Sequence, residues 1–300
     1  MSRTDDDSWD ITEGVGATAL SVARARVAET AADYPLYTDP YAHFFLEAAA
    51  ESGWQSPFGD DPERMQGMAA YMASRTKSFD EFFTTAGANG IDQAVILAAG
   101  LDTRAWRLPW ISGTCVYELD QPKVLEFKEQ VLARHGARPA TEYAPVPVDL
   151  RRDWPQALQQ AGFDSARPTA WSAEGLLPYL RSADQDRLFE RIDSMSAAGS
   201  RMAVEAFGPD FYSAELLARR RERMEKARKA SESAGRRPVP DPSRLWYFEP
   251  RTDVAQWLTG SGWEVTTISA AELMQRYHRP APGGLEDAVP DTVFVQAIKG

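Results

Sequence analysis

Cysteine is almost missing: Cys115 is the only one in 300 residues, so no internal disulfide and no multi-cysteine zinc site can form. Histidine is scarce as well. His43, His135 and His278 lie far apart, so no metal site is expected from local ligand spacing. No apolar run approaches the roughly 18 residues that span a bilayer. The opening MSRTDDDSWD is polar and acidic, without the apolar core of a signal peptide. A cytoplasmic protein with no membrane partner is expected. Positive charge is in deficit, 33 Lys and Arg against 44 Asp and Glu, for a net charge of −11. Proteins that grip phosphate backbones present basic surface, so nucleic acid is not the expected partner. The exception is the stretch Arg219–Arg237, with nine basic and three acidic residues; it reads as a solvated helical face, with an anion site as the alternative. What is present, 43% hydrophobic and 26% charged residues, is ordinary globular composition.

From Gln93 onward, strand-like and helix-like segments alternate. QAVILAAG (93–100) is a short apolar run ending in glycine, which suits a fully buried strand. GTCVYELD (113–120), EYAPVPVDL (142–150), PTAWSAEGL (168–176) and SRMAVEAF (200–207) follow, separated by helical patterns. That order predicts a parallel sheet with crossover helices. Pro145 and Pro147 remove ladder donors from the third strand, which belongs at an edge. WEVTTIS (263–269) and TVFVQAIK (292–299) predict two more strands, pairing antiparallel at the far edge, with a Pro/Gly-bearing connection and no strong helix between them. The first ninety residues carry helical patterns and no strand signal. The expected organisation is one domain over 1–300: a helical layer (1–90), the sheet half (91–207), an insertion (208–250) and carboxyl-terminal strands (251–300).

Open parallel sheets bind ligands beyond the carboxyl ends of their strands, so the residues at those ends carry the chemistry. The first such loop, Ala98 to Arg104, has one glycine, Gly100. Small residues there let a ligand approach the backbone, but a pyrophosphate needs more glycine, which argues against NAD or FAD. Asp102 and Thr103 read as helix caps. Asp120 stands twenty residues beyond Gly100, where an acid accepts from a ribose diol. Asp149 either caps the following turn or accepts from an adenine amino group, with Leu150 as an apolar face. Glu174 lies between small residues and an apolar run and needs a cationic or hydrogen-bonding partner. Glu205, ending the fifth strand, is similar. By charge alone Arg75 reads as a surface residue, and Cys115 as a small buried hydrophobe. His278 is the one histidine considered as a base. Trp246 and Tyr247 line a substrate pocket or pack the insertion onto the sheet.

The segments Tyr37-Thr38-Asp39-Pro40, Arg75-Thr76-Lys77, LAAGLDTRAWRLPW (97–110), YELDQPKVLEFK (117–128), VPVDLR (146–151) and AEGLLPYL (173–180) occur in this order. Together they resemble the leucine carboxyl methyltransferase superfamily, in its actinobacterial S-adenosyl-L-methionine-dependent branch, and are similar to tetracenomycin-type polyketide O-methyltransferases. The resemblance runs from Trp9 to Lys299. It implies an α/β, class I methyltransferase (Rossmann-like) fold: a seven-stranded, mostly parallel sheet in the order 3-2-1-4-5-7-6, with an amino-terminal helical layer and a helical lid insertion. It also implies S-adenosyl-L-methionine as cofactor. Arg75 would hold the methionine carboxylate, Gly100 give backbone approach, Asp120 contact the ribose, and Asp149 with Leu150 the adenine. Glu174 would face the methionine amino group or the transfer centre. Glu174 and His278 remain the catalytic candidates, with Glu205, Trp246 and Tyr247 in the substrate pocket. The expected reaction is O-methylation of a carboxylate or hydroxyl on a small molecule. An NAD-dependent dehydrogenase and a non-catalytic nucleoside-binding protein are the alternatives.

Overall fold

The apolar run Gln93–Leu97 forms strand β1, buried along its whole length, and the rest of the molecule is arranged around it. The computed structural model of the chain describes residues 14–54, 62–208, 245–280 and 291–300, with isolated positions between 209 and 244. Before β1 come helices α1 (Gly14–Thr30), α2 (Ala42–Glu51) and α3 (Pro62–Ala88). After it come α4 (Arg104–Arg107), β2 (Cys115–Asp120), α5 (Pro122–Arg134), β3 (Glu142–Pro147), α6 (Trp154–Gln160), β4 (Ala170–Ala173), a 3-10 turn (Leu177–Tyr179), α7 (Ser182–Ser194) and β5 (Arg201–Phe207). The chain then reaches α8 (Val254–Gly260), β6 (Trp263–Ser269), α9 (Ala270–Arg276) and β7 (Thr292–Lys299).

The seven strands form one sheet in the order β3-β2-β1-β4-β5-β7-β6. The first five strands run parallel, while β7 pairs antiparallel with both β5 and β6. Proline-bearing β3 occupies the edge, where its missing donors leave no gap in a ladder. Successive strand residues enter opposite cores, as the two-residue repeat dictates. Ala94 and Ile96 of β1 join Leu20, Phe45, Phe79, Phe83 and Leu273, so α1–α3 and α9 cover one face. Val95 and Leu97 join Trp154, Leu158, Phe189 and Leu258, so α6–α8 cover the other.

One expectation is corrected. The connection from β6 to β7 opens with a helix, α9, whose start is a capping box: Ser269 Oγ accepts from the Glu272 N–H, and Glu272 accepts from the Ser269 N–H. In the insertion, the stretch Arg219–Arg237 and the proline-rich break after it lie outside the described residues, apart from four positions in helical conformation. Those four form exposed ion pairs, Glu222–Lys226 at 2.9 Å and Glu225–Lys229 at 3.2 Å, as a solvated helical face would.

Candidate active site

Strand register assembles the site. Leu97 is level with Leu119 on one side and Ala173 on the other, and Ala173 is level with Val204. The next residues along, Asp120, Ala98 and Glu174, therefore stand side by side on the carboxyl rim of β2, β1 and β4. They are level with Glu205, which lies inside β5, two residues before its end, rather than ending the fifth strand as the sequence suggested. Ala98 and Gly100 adopt φ of 52° and 53°, left-handed backbone that costs a side-chain-bearing residue energy and that proteins keep where the surroundings enforce it. The folded loop aims the Gly100 N–H at Asp120 Oδ2 (2.6 Å), while Gln121 N–H donates to Oδ1 (2.6 Å). Burial pushes the Asp120 carboxyl up, against the lowering effect of these two donors. Each oxygen keeps one acceptor position. Helix α1 roofs the loop: a Cβ on Gly100 would lie 3.5 Å from that of Ala19.

Glu174 and Glu205 meet the cations of the helical layer. Arg75, on α3, places Nε 2.9 Å from Glu174 Oε1, without hydrogen-bond alignment. Its Nη1 donates to Glu205 at 3.0 and 3.3 Å, and its Nη2 makes no hydrogen bond to the described residues. Burial would lower the Arg75 pKa, but the Glu205 and Glu174 carboxylates outweigh it and hold the group charged. The second oxygen of Glu174 accepts from Arg104 Nη1 (2.8 Å). Arg104 also binds Asp102 and Asp80, and Arg107 grips both Asp80 oxygens at 2.7 Å. Asp39, from the Tyr37–Pro40 motif, accepts from Arg26, Thr103 Oγ1 and two backbone amides. Asp102 receives the Arg104 N–H at 2.6 Å, a cap-like role; Thr103 makes no side-chain cap.

Arg75, Gly100, Asp120, Glu174 and Glu205 thus come together. Asp149 and Leu150 follow β3 on the same rim, where the Val148 N–H binds the Asp120 carbonyl. The Asp149 carboxylate is gripped by the Arg151 guanidinium at 3.0 Å and by the Arg151 N–H at 2.9 Å. Although burial opposes it, this pairing lowers its pKa to about 2. Leu150 packs against the core of the α6–α8 face. Trp246 stands edge-on to Tyr179, 6.4 Å between centroids, and 6.2 Å from Phe207 at the end of β5. The Tyr247 N–H bonds the Pro178 carbonyl (2.8 Å), and Arg181 lies over its ring. His278 is exposed in the turn after α9 at φ 57°, and no described contact joins it to the rim acids. Sequence reasoning missed Tyr71, Asp80 and Arg104. The i, i+4 spacing of Tyr71 and Arg75 carried a signal, since it puts both on one face of α3.

Residues 19–193 match the family described as leucine carboxyl methyltransferase. A relative from Mycolicibacterium paratuberculosis is 54% identical over 310 residues, covering 99% of this chain and 97% of its own. One from Mycobacterium marinum is 52% identical over 310 residues, covering 99% of each. Both carry the name "Putative S-adenosyl-L-methionine-dependent methyltransferase". Among solved structures, a DUF574 family protein from Streptomyces avermitilis shares the fold, with a TM-score of 0.53 at 16% identity over 93% of this chain and 97% of that one. The chain belongs to the leucine carboxyl methyltransferase family, in its actinobacterial branch of S-adenosyl-L-methionine-dependent methyltransferases.

Proposed function

We propose that this protein methylates an oxygen, carboxylate or hydroxyl, of a small-molecule acceptor, and that the rim residues described above hold its cofactor. The observation that carries the reading is the donor and acceptor set along β2-β1-β4. Asp120 retains one acceptor position on each oxygen, which suits the two hydroxyls of a ribose. Arg75 presents an uncommitted Nη2 edge, which suits a carboxylate, and Glu174 beside it suits an ammonium. The backbone between them turns on a single glycine, which suits a nucleoside without phosphates and weighs against the dehydrogenase alternative. The residues therefore fit S-adenosyl-L-methionine, whose sulfonium supplies an already activated methyl group. The work left to the chain is alignment and exclusion of water.

Asp149 and Leu150, on the same rim beside Asp120, would take the adenine. Adenine contact through the Asp149 carboxylate would share it with Arg151, so Leu150 and the loop backbone are its better-placed partners. A carboxylate acceptor needs no base, whereas a phenol does. Glu174 already accepts from Arg104 and faces Arg75, and His278 is exposed. These placements favour a carboxyl acceptor. Trp246, beside Phe207, and Tyr247 would give it an apolar wall; most of the 208–250 segment expected to act as a lid lies outside the described residues. The test offers methyl-labelled cofactor with panels of carboxylic acids and phenols. Label in a base-labile ester is expected; label in an alkali-stable ether would move the assignment to hydroxyl. Calorimetric binding of NAD but not S-adenosylhomocysteine would overturn the reading altogether.

A further inference from the structure

Glu205 lies inside β5, two residues before its end, with a carboxylate that is fully engaged. Both oxygens receive Arg75 Nη1 at 3.0 and 3.3 Å, Oε2 also accepts the Gly175 N–H at 2.7 Å, and Oε1 accepts the Tyr71 hydroxyl. Tyr71 is fixed from the other side by Thr292 Oγ1 of β7, at 3.2 Å. The acid is buried, 5% exposed, so little of it remains to meet an acceptor. Gly175 adopts φ +66°, and a Cβ there would sit 3.6 Å from Arg75 Nη1 and 3.8 Å from Glu205 Oε2; the turn that aims Glu174 and the guanidinium of Arg75 are packed around the same carboxylate. A guanidinium has its donors in one rigid plane. Seizing Nη1 therefore fixes which edge the group turns outward, and that edge carries Nη2.

We infer that Glu205, braced by Tyr71, is a positioning residue: it orients Arg75 for the amino-acid carboxylate of the cofactor, rather than lining the acceptor pocket. The inference rests on the reading that Arg75 binds that carboxylate. The test separates the two by comparing S-adenosylhomocysteine with its decarboxylated analogue, 5′-deoxy-5′-(3-aminopropylthio)adenosine, in calorimetric titrations. The unaltered protein is expected to prefer the carboxylate-bearing ligand, and Arg75→Ala to abolish that preference. If the unaltered protein binds both equally, the Arg75 reading itself fails.

Glu205→Gln keeps the shape and an acceptor for the Gly175 N–H, turns its amide NH2 toward the Tyr71 hydroxyl, which can accept, and removes the charge facing Arg75. It is expected to weaken S-adenosylhomocysteine about tenfold, the scale of a hydrogen bond to a charged group, while the analogue stays within about twofold. Tyr71→Phe is expected to act the same way and more weakly. A parallel loss for both ligands would mean a merely structural acid. Unchanged binding of both would mean that Glu205 does not act on Arg75, and tighter S-adenosylhomocysteine binding would mean that it competes for the guanidinium. Each of these three results overturns the inference.

Discussion

At the scale of single residues, Asp120 gives the most direct test of the proposed cofactor site. Among the described residues two backbone amides fix it at 2.6 Å each, which leaves each oxygen a second acceptor position. Asp120→Ala is expected to weaken S-adenosylhomocysteine binding by about 1–3 kcal/mol, the cost of removing a charged partner. An unchanged dissociation constant by calorimetry would remove the ribose assignment. Asp149 gives a pH-dependent case. Its carboxyl falls from the ordinary 3.8 to about 2 in the folded chain, so between those values the folded state binds fewer protons than the unfolded one. The stability contributed by the Arg151 pair is then complete above about pH 4 and disappears as pH falls through about 2. Because the pair is only half-buried and is screened by solvent, its contribution is about 1 kcal/mol. Arg151→Ala is expected to lower the urea unfolding free energy by that amount at pH 7 and by progressively less on acidification; a loss independent of pH would contradict the pairing. Asp120, Glu174 and Arg75 were legible as strand-end or motif residues. Asp80 and Arg104 were not, because 24 residues separate them and only the docking of α3 on the rim brings them into contact.

At the scale of elements, β3 and α9 make a useful contrast. The edge position of β3 followed from Pro145 and Pro147, since a missing backbone donor is a local property that survives any tertiary context. Helix α9 was not anticipated, although Ser269-Ala-Ala-Glu272 spells a capping box. It has only seven residues, and the Pro- and Gly-bearing tract behind it dominates the local composition. Its stability comes from packing Leu273 and Met274 into the core that α3 shares, an arrangement no local pattern encodes. Ser269→Ala removes an acceptor for the Glu272 N–H and is expected to cost about 1 kcal/mol. Urea denaturation should report it as a lower midpoint with an unchanged slope. No shift in midpoint would mean that the cap contributes nothing beyond what the packing already enforces.

At the scale of the whole molecule, the question is whether the amino-terminal helices are an attachment or part of one cooperative unit. Composition placed no linker before Gln93, yet that alone does not fasten a layer to a sheet. Buried charge does. Asp80 of α3 binds Arg104 and Arg107, which follow β1, and Asp39 binds Arg26 of α1 and Thr103 of the same loop. Arg104 is 2% exposed, so its charge is tolerable only while Asp80, Asp102 and Glu174 surround it. In Asp80→Asn, Arg104 keeps Asp102 and Glu174, but the buried guanidinium of Arg107 loses the carboxylate it pairs with; the expected cost is about 3–5 kcal/mol, the cost of an uncompensated buried charge. That is a large share of the roughly 5–15 kcal/mol that holds a typical domain folded, but the variant should still fold. If helices and sheet are one unit, far-UV circular dichroism and tryptophan fluorescence will follow a single coincident transition in both proteins, displaced to lower denaturant in the variant. If the layer is an attachment, the variant will lose helical signal in a separate early phase while the sheet's tryptophans, Trp171 among them, stay buried. The second outcome would also undo the proposed cofactor site, because the guanidinium of Arg75 rides on the same helix as Asp80.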